Sequence, residues 1–273
     1  MAVSATQSMV GLSIQHEGAH DVARNLPEET PVAIVFNGTT AAVMMATPAD
    51  LKDFAFGFAL TEGFIERLDQ VESFELVPHE SGLEARFQLV DDRVKAMQAR
   101  RRNMLGPVGC GLCGIDSLEQ AIRPLPVLER TGPRLSKSEV ACATSALRDH
   151  QPLHDQTHAV HAAGFMLPSQ GMLLVREDVG RHNALDKLIG ALAQNNIDAS
   201  QGAIVLTSRV SVEMVQKTVI AGCPVLIAVS APTAHALRLA RGAQLTLAAF
   251  ARGGGFDVYS HPERILIGAS DAA

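Results

Sequence analysis

The second half of the chain alternates short apolar runs with helical segments, and this alternation constrains its fold more than any other feature. The apolar runs have the length and content of buried strands and are GMLLVREDV, AIVLTS, PVLIAVS and LTLAAFARGGG. The segments between them have helical spacing and are ALDKLIGALAQ, VEMVQKTVIAG and AHALRLARGA, and FDVYS closes the pattern as a further strand. Strands joined through helices predict an α/β layer with a largely parallel sheet.

The first half predicts a smaller α/β part. Two strands meet at Asn37-Gly38, a dipeptide typical of a tight hairpin turn, and a second hairpin turns at about Glu80 to Gly82. Between the hairpins, Pro48 and Asp50 mark a helix start, because proline suits the first turn and an acid favours the helix dipole. Residues 1–28 are small and polar without a clear period, and they predict a flexible lead-in.

Three prolines punctuate a linker-like stretch and predict the boundary between the two parts: Pro124, Pro126 and Pro133. A chain of 273 residues has room for one large domain or two small ones. The predicted division is a lead-in over 1–28, an N-terminal α/β part over 29–133 and a C-terminal α/β part over 134–273.

Composition and charge exclude several classes of function. Asp and Glu outnumber Lys and Arg by 29 to 23, and an acidic chain lacks the basic face that coats nucleic acid. Aromatic residues make up 4% with no Trp, which argues against a base-stacking platform. The most apolar stretch, residues 219–231, is broken by Gly and Pro and is well short of the roughly 20 residues that span a membrane. The N-terminus lacks a signal-peptide pattern, so we expect a cytoplasmic protein with neither nucleic acid nor membrane as a partner.

Cys110 and Cys113 form a CxxC motif within residues 109–114, which we name the CxxC loop. A structural zinc site has four ligands, usually as two pairs of Cys or His, and the sequence has no second CxxC pair. Cys142 falls inside a predicted helix and Cys223 stands next to a proline, so we expect no metal site.

Two interpretations of the CxxC loop stay open. The first is a pair of small buried thiols in a tight turn, although the glycines of the loop favour an exposed, mobile segment. The second is a nucleophilic or sulfur-carrying thiolate. Ser117 and Gln120 have capping-box spacing just beyond Cys113, and a helix N-terminus lowers the pKa of a nearby thiol.

Polar residues follow four of the predicted strands, where ligands bind in open α/β sheets. Three of these four loops hold an arginine, and all offer hydroxyls, glycines or helix N-termini, which together favour phosphate. The expected binding residues are Arg181, His182, Asn183, Ser208, Arg209, Ser230, Thr233, Phe250, Ala251, Arg252, Gly253, Gly254 and Gly255. A local cationic edge in an acidic chain predicts a polyanionic small molecule, such as a nucleotide or pyrophosphate.

Taken singly, several polar residues of these loops have plainer structural interpretations. These are helix caps at Ser211 and Thr233, a solvated pair of Arg176 and Glu177, a polar helix face at Asp186 and Lys187, and a structural histidine at His182. His154, His158 and His161 lack a carboxylate or thiol partner at ligand spacing, so we expect a surface or substrate-contact role for them.

Six motifs of the chain carry a resemblance to a known family. In order they are NGTTAAVMMATPADLKDFAFGFALTEGFI, GCGLCG, REDVGRHNALDKLIG, TSRVSVEMVQK, AVSAPT and FARGGGFDVYSHPERI. From about residue 29 to 265 the chain resembles the FdhD family of formate dehydrogenase accessory sulfurtransferases. It departs from the family where two glycines usually stand, at His158 and Ala159, whereas His161 matches.

The resemblance implies a sulfur carrier. Members accept sulfur from a cysteine desulfurase as a cysteine persulfide. They pass it to the molybdenum or tungsten cofactor, bis-molybdopterin guanine dinucleotide, before its insertion into the formate dehydrogenase catalytic subunit. Cys110 maps to the persulfide position and Cys113 to its partner. The guanine dinucleotide ends map to Phe250–Gly255, where a guanine nucleotide such as GDP would mimic them. The resemblance also implies a homodimer and a mixed α/β (α+β), cytidine-deaminase-like three-layer fold without zinc.

Two other functions compete with sulfur transfer. One is a cofactor-binding chaperone, whose loop shields the cofactor while no sulfur moves. The other is a CxxC disulfide oxidoreductase, which is less favoured because the thioredoxin-like strand followed by a CxxC helix near the N-terminus is missing.

Overall fold

The computed structural model describes residues 4–90, residue 93 and residues 124–266. The helices predicted near Asp91 and Ser117 and the CxxC loop between them lie outside the described residues. Among the helices that are described, none combines the length and the apolar content needed to cross a membrane.

An antiparallel hairpin opens the described chain. Strand β1 (Thr6–Gln15) pairs with β2 (Gly18–Pro27) over their full length, and we name this unit the N-terminal hairpin. It differs from the flexible lead-in predicted for residues 1–28. The reason is that Val10, Leu12 and Ile14 alternate with small or polar residues at the two-residue period of a strand.

A four-stranded sheet and one long helix form the N-terminal part. The strands are β3 (Thr30–Phe36), β4 (Thr39–Ala46), β5 (Val71–His79) and β6 (Gly82–Leu89), in the order β4-β3-β6-β5. Both predicted hairpins are confirmed. Helix α1 (Leu51–Thr61) buries Phe54 and Phe58 against this sheet in a core of stacked phenylalanine rings.

A six-stranded sheet forms the C-terminal part, in the order β13-β12-β11-β10-β8-β9. Its strands are β8 (His161–Leu167), β9 (Gly171–Asp178), β10 (Ala203–Leu206), β11 (Val225–Ala228), β12 (Thr246–Arg252) and β13 (Gly255–Ser260). A separate parallel pair joins β7 (Leu135–Ser136) to β14 (Ile265–Leu266). Within the six-stranded sheet only β10-β11 and β11-β12 are parallel, so the prediction of a largely parallel sheet is wrong. The cause is β8, which the sequence pattern missed and which inserts antiparallel between β9 and β10.

Helices cover both faces of the six-stranded sheet. They are α2 (Lys137–Arg148), α3 (Pro152–Thr157), α4 (Arg181–Gln194), α5 (Val212–Ile220) and α6 (Ala234–Gly242). Apolar side chains of α2 pack on one face, and those of α4, α5 and α6 pack on the other. The C-terminal part therefore has three layers, while its likeness to a cytidine deaminase stays a prediction.

The two parts meet where α1 crosses α4. Gly57 on α1 and Gly190 on α4 let the two backbones approach closely, because a Cβ on either glycine would overlap backbone atoms of the facing helix. The predicted linker packs on the C-terminal part, since Leu125 and Leu128 contact its core and the Leu128 amide donates to the Ala243 carbonyl. The division at residue 133 stays a prediction.

Candidate functional site

Four strand-end loops converge on one edge of the six-stranded sheet. Strands β9, β10, β11 and β12 run in the same direction, because β8 reverses between β9 and β10. Their carboxyl ends therefore share an edge, together with the first residues of β8 and β13. We name residues 178–183, 207–211, 230–233 and 250–255 the strand-end edge.

Backbone hydrogen bonds tie three of these four loops to one another. The Val210 amide donates to the Ala231 carbonyl at 3.1 Å, and the Thr233 amide donates to the Val210 carbonyl at 3.0 Å. The Phe250 amide donates to the Ser230 carbonyl at 3.4 Å. Residues 207–211, 230–233 and 250–255 are thus connected through their backbones.

Three arginines of the strand-end edge have no acidic partner in the part of the chain that the structure describes. Within residues 4–90 and 124–266, no carboxylate makes an ion pair with Arg181, Arg209 or Arg252. The Nε atom of Arg181 is buried, and it has no hydrogen-bond partner among the described residues. Unlike Arg176, which pairs with Asp53, these three guanidinium groups are not neutralised by a carboxylate of the described residues, and this suits an anion.

His161 joins this edge from the start of β8, opposite Asp178. Its Nδ1 lies 3.4 Å from the Thr207 hydroxyl, which also accepts from the Ala162 amide. Burial, followed by the charges of Arg181 and His182, lowers the pKa of His161. His161 is therefore a neutral imidazole at pH 7. The surface or substrate-contact role expected for His154, His158 and His161 stays a prediction.

His182 faces a carboxylate on the same edge. Its Nε2 lies 3.3 Å from Glu213 Oε2, and the Ser211 hydroxyl donates to that same oxygen at 2.8 Å. The hydrogen bond from His182 holds the pKa of Glu213 down to about 2, so this carboxyl is ionised. Glu213 orients the imidazole, and sequence analysis missed it because its partner lies on another helix.

The turn between β12 and β13 is the most exposed part of the edge. Gly253 and Gly254 have φ values of 62° and 80°, a region that favours glycine, and Arg252 beside them is exposed. Phe250 also has a positive φ, 52°. Residues 252–255 of the predicted segment Phe250–Gly255 are thus exposed to solvent, and Arg252 is among them.

Four of the predicted binding residues are engaged within the protein, three through side-chain hydrogen bonds and one through its backbone. The buried Asn183 amide donates to the Met45 carbonyl and to Asp178, and the buried Ser208 hydroxyl donates to the Arg209 carbonyl. Thr233 caps α6 by accepting from the Ala236 amide, as its alternative interpretation predicted. Ala251 is buried, and its carbonyl accepts from Thr144.

The sequence predicted that Asp186 and Lys187 lie on a polar helix face, but in the structure both form buried ion pairs. Both side chains are fully buried. Lys187 Nζ lies 2.7 Å from the Asp178 carboxylate, and Asp186 lies 2.8 Å from Lys217 Nζ. The prediction is wrong because α4 is covered on every side, and its charged partners come from distant elements.

Asp178 also positions the first turn of α4. Its Oδ1 accepts from the Gly180 amide at 2.8 Å, and its Oδ2 accepts from the Thr47 amide at 3.0 Å. The carboxylate thereby fixes the backbone that carries Arg181 and His182 to the edge.

The predicted solvated pair of Arg176 and Glu177 is also wrong. Arg176 Nε donates to Asp53 Oδ2 on α1 at 2.7 Å. Glu177 accepts from the Leu153 and His154 amides, so it caps α3. Both side chains join elements of the fold.

The departure at His158 coincides with an unusual backbone. His158 ends α3 with φ 53°, in the left-handed region that glycine adopts without strain. Its ring packs edge-on against that of His154 at 5.5 Å between centroids.

The two described cysteines have contrasting environments. Cys142 is exposed on α2, whereas Cys223 is buried, and burial raises the pKa of its thiol to about 12. Cys223 is therefore an inert thiol at neutral pH. In the part of the chain that the structure describes, no three His, Cys, Asp or Glu side chains are grouped to hold a metal.

The comparisons with known proteins agree on one family. A model of the FdhD/NarQ family matches residues 27–266. The chain is 48% identical to the sulfur carrier protein FdhD of Agrobacterium fabrum, over 98% of this chain and 99% of that one. It is 51% identical to the protein of that name from Brucella abortus, over 93% and 95%.

A solved structure has the same fold. A crystal structure from Desulfotalea psychrophila, described as that of a formate dehydrogenase accessory protein, matches with a TM-score of 0.76 at 25% identity. The match covers 96% of this chain and 100% of that one. The chain belongs to the FdhD/NarQ family, as its six motifs indicated.

Proposed function

We propose that this chain is a sulfurtransferase that carries sulfur to the cofactor of a formate dehydrogenase. The observation that carries the proposal is the convergence of Arg181, Arg209 and Arg252, without acidic partners among the described residues, on one edge of a family member. Relatives named sulfur carrier proteins match along nearly the whole chain, which includes the CxxC loop. The partners are a cysteine desulfurase, the formate dehydrogenase catalytic subunit and a second copy of the chain.

Loading moves one sulfur atom from the desulfurase persulfide to the Cys110 thiolate. The Cys110 thiolate attacks the outer sulfur of the desulfurase persulfide, a new S–S bond forms on Cys110, and the desulfurase cysteine leaves as a thiolate. The step is redox-neutral. Cys113 then has two alternative roles: it shares the carried sulfur, or it forms a disulfide with Cys110 while that sulfur leaves reduced to sulfide.

The client in this proposal is bis-molybdopterin guanine dinucleotide, whose pyrophosphates and guanine ends are elongated and anionic. Arg181, Arg209 and Arg252 bind phosphate oxygens, since guanidinium and phosphate form paired charge-assisted hydrogen bonds. The turn at Gly253 and Gly254 adds backbone amides, and neutral His161 offers a hydrogen bond to an uncharged group of the client. This chain's part is to hold the client while the loop delivers sulfur.

The first prediction concerns sulfur loading. Incubation with a cysteine desulfurase and cysteine is expected to add the mass of sulfur to the purified chain, and Cys110→Ala is expected to abolish most of that gain. Intact-mass spectrometry under non-reducing conditions measures it. Cys142→Ala is the matched control, because it removes an exposed thiol and should load like the wild type. Unchanged loading of Cys110→Ala would contradict the assignment.

The second prediction concerns the anionic client. Titration with GDP is expected to give saturable binding that Arg209→Ala weakens about 10- to 100-fold, the effect of losing about 1.5–3 kcal/mol from a charged hydrogen bond. Calorimetry provides the measurement. Arg238→Ala, an exposed arginine on α6 away from the edge, is the control. Equal losses in the two variants would mean that general charge, and not the strand-end edge, binds the nucleotide.

A further inference from the structure

Thr47 lies where the N-terminal part meets the strand-end edge. It follows β4 and precedes Pro48, and a residue before proline favours an extended backbone. Thr47 is fully buried, so its amide, its carbonyl and its hydroxyl are all removed from water. Buried polar groups are normally hydrogen-bonded, and the partners of Thr47 therefore show which elements it joins.

All three polar groups of Thr47 bond to the C-terminal part. The Thr47 amide donates to Asp178 Oδ2 at 3.0 Å, and the Thr47 hydroxyl accepts from the Val179 amide at 3.1 Å. The Thr47 carbonyl accepts from Lys187 Nζ at 3.0 Å. Asp178 and Val179 lead into α4, and Lys187 lies on that helix. One residue of the N-terminal part is thus bonded to three residues around the start of α4.

The turn that Thr47 holds is closely packed. Asp178 Oδ1 accepts from the Gly180 amide at 2.8 Å and from the Asn183 side chain at 3.0 Å. A Cβ at Gly180 would lie only 3.0 Å from Asn183 Nδ2, so the turn has little spare room on that side. Asp178 and Lys187 are fully buried and 2.7 Å apart, and a shift of the turn would separate these two buried charges. The turn therefore has one tightly bonded position, and Thr47 helps to define it.

We propose that Thr47 is a positioning residue of the strand-end edge, and that it holds Arg181 and His182 where they meet the phosphates of the client. Arg181 and His182 are the first two residues of α4 and directly follow the turn that Thr47 bonds. A displacement of Val179 therefore moves both side chains. Because Thr47 is fully buried, it acts through these two residues and not by contact with the client. This role rests on the proposed function, in which the edge binds the phosphates of the client.

A second threonine that joins the same two parts provides the comparison. Thr61, the last residue of α1, is also fully buried, and its hydroxyl donates to Asp186 Oδ1 on α4 at 2.8 Å. Asp186 lies more than one helical turn beyond Arg181 and pairs with Lys217 on α5. Both threonines therefore link α4 to the N-terminal part through a buried hydroxyl. A purely structural role is common to the two, whereas positioning of the edge is specific to Thr47.

Calorimetric titration of the full chain with GDP, at a temperature where every variant is folded, tests the proposal. Thr47→Val leaves the Val179 amide without its acceptor, and we expect it to weaken GDP binding about 10-fold. Thr47→Ser keeps the hydroxyl and is expected to restore most of the affinity. Thr61→Val is the matched control, and it should lower the thermal stability as Thr47→Val does while binding GDP like the wild type. Thr47→Ala repeats the test with a smaller side chain should valine prevent folding.

The outcomes separate the role of Thr47 from the proposed function. A wild type that binds no GDP, or an Arg209→Ala variant that binds it as well as the wild type, would overturn the client site and the role of Thr47 with it. Weaker binding by Arg209→Ala beside unchanged binding by Thr47→Val and Thr47→Ala would overturn the role of Thr47 alone. Equal losses of affinity in Thr47→Val and Thr61→Val would also overturn it, because they would show that only the joining of the two parts matters. Thr47→Ser binding as weakly as Thr47→Val would exclude the hydroxyl as the positioning group.

Discussion

Replacing Lys217 with methionine is expected to cost about 3–5 kcal/mol of folding free energy, because it leaves a buried carboxylate without its cation. Lys217 Nζ lies 2.8 Å from both oxygens of the fully buried Asp186 and 3.0 Å from Glu62 Oε1. Burial alone would lower the pKa of Lys217, but the charges of Asp186 and Glu62 outweigh burial and raise it. The lysine is therefore charged in the folded protein. Burial raises the pKa of Asp186, so protonation of the stranded carboxyl relieves part of the cost in the variant.

Denaturant unfolding at pH 7 measures this cost. Lys52→Met, at an exposed lysine on α1, is the control and is expected to change the stability by no more than about 0.5 kcal/mol. The double variant Lys217→Met/Asp186→Leu should be more stable than Lys217→Met, because it removes the stranded charge as well. If Lys217→Met were no less stable than Lys52→Met, the ion pair between Lys217 and Asp186 would not be what holds α1, α4 and α5 together.

Replacing Gly190 with alanine is expected to cost about 3 kcal/mol or more of folding free energy, because there is no space for the new methyl group. A Cβ at Gly190 would lie 1.9 Å from the Asp53 carbonyl oxygen and 2.7 Å from the Gly57 amide nitrogen. Both are backbone atoms of α1, so the two helices must separate. Separation would also weaken the bond between Thr61 on α1 and Asp186 on α4, which is 2.8 Å long.

Thermal unfolding of Gly190→Ala beside Gly242→Ala checks this prediction. Gly242 ends α6, and no atom lies within 4 Å of the position that its new methyl group would take. Alanine there should therefore be neutral or stabilising by about 0.5–1 kcal/mol. Opposite signs for the two glycines are the expected result. A Gly190→Ala protein as stable as the wild type would show that the α1-α4 crossing adapts without loss.

The strand-end edge was predictable from the sequence because each of its strands and loops is marked by a local pattern of apolar and polar residues. The strands that end at Asp178, Leu206 and Ala228 follow from their apolar runs, and the polar loops after them follow from the same boundaries. The missing strand β8 left the prediction of the edge intact. A hairpin reversal before β10 leaves β9 and β10 running in the same direction, so their ends still meet.

The buried charges were not predictable from local pattern. Asp186 and Lys187 are neighbours in sequence, and they resemble a solvated turn of a helix until their partners are known. Those partners are Lys217 for Asp186 and Asp178 for Lys187, and only the folded topology brings each pair together. The one local signal was that α4 is apolar around most of its circumference, which is typical of a helix covered on all sides.

Asn183 shows the same limit within the candidate site. It follows Arg181 and His182 directly and shares their loop, so sequence assigns it to the ligand. The helix turns it inward, where its amide donates to the Met45 carbonyl at 2.8 Å. Consecutive residues of a helix are rotated by about 100°, so His182 faces the strand-end edge whereas Asn183 points into the protein.

The most direct test of the central claim is to mature a formate dehydrogenase with the double variant Cys110→Ser/Cys113→Ser. Both the activity of the enzyme and its bound cofactor are then measured. Cys142→Ser is the control, and it should mature the enzyme as the wild type does. A sulfur carrier predicts that the double variant gives enzyme that contains cofactor and has no activity. Full activity with the double variant would contradict the account and favour a chaperone that holds the cofactor without moving sulfur.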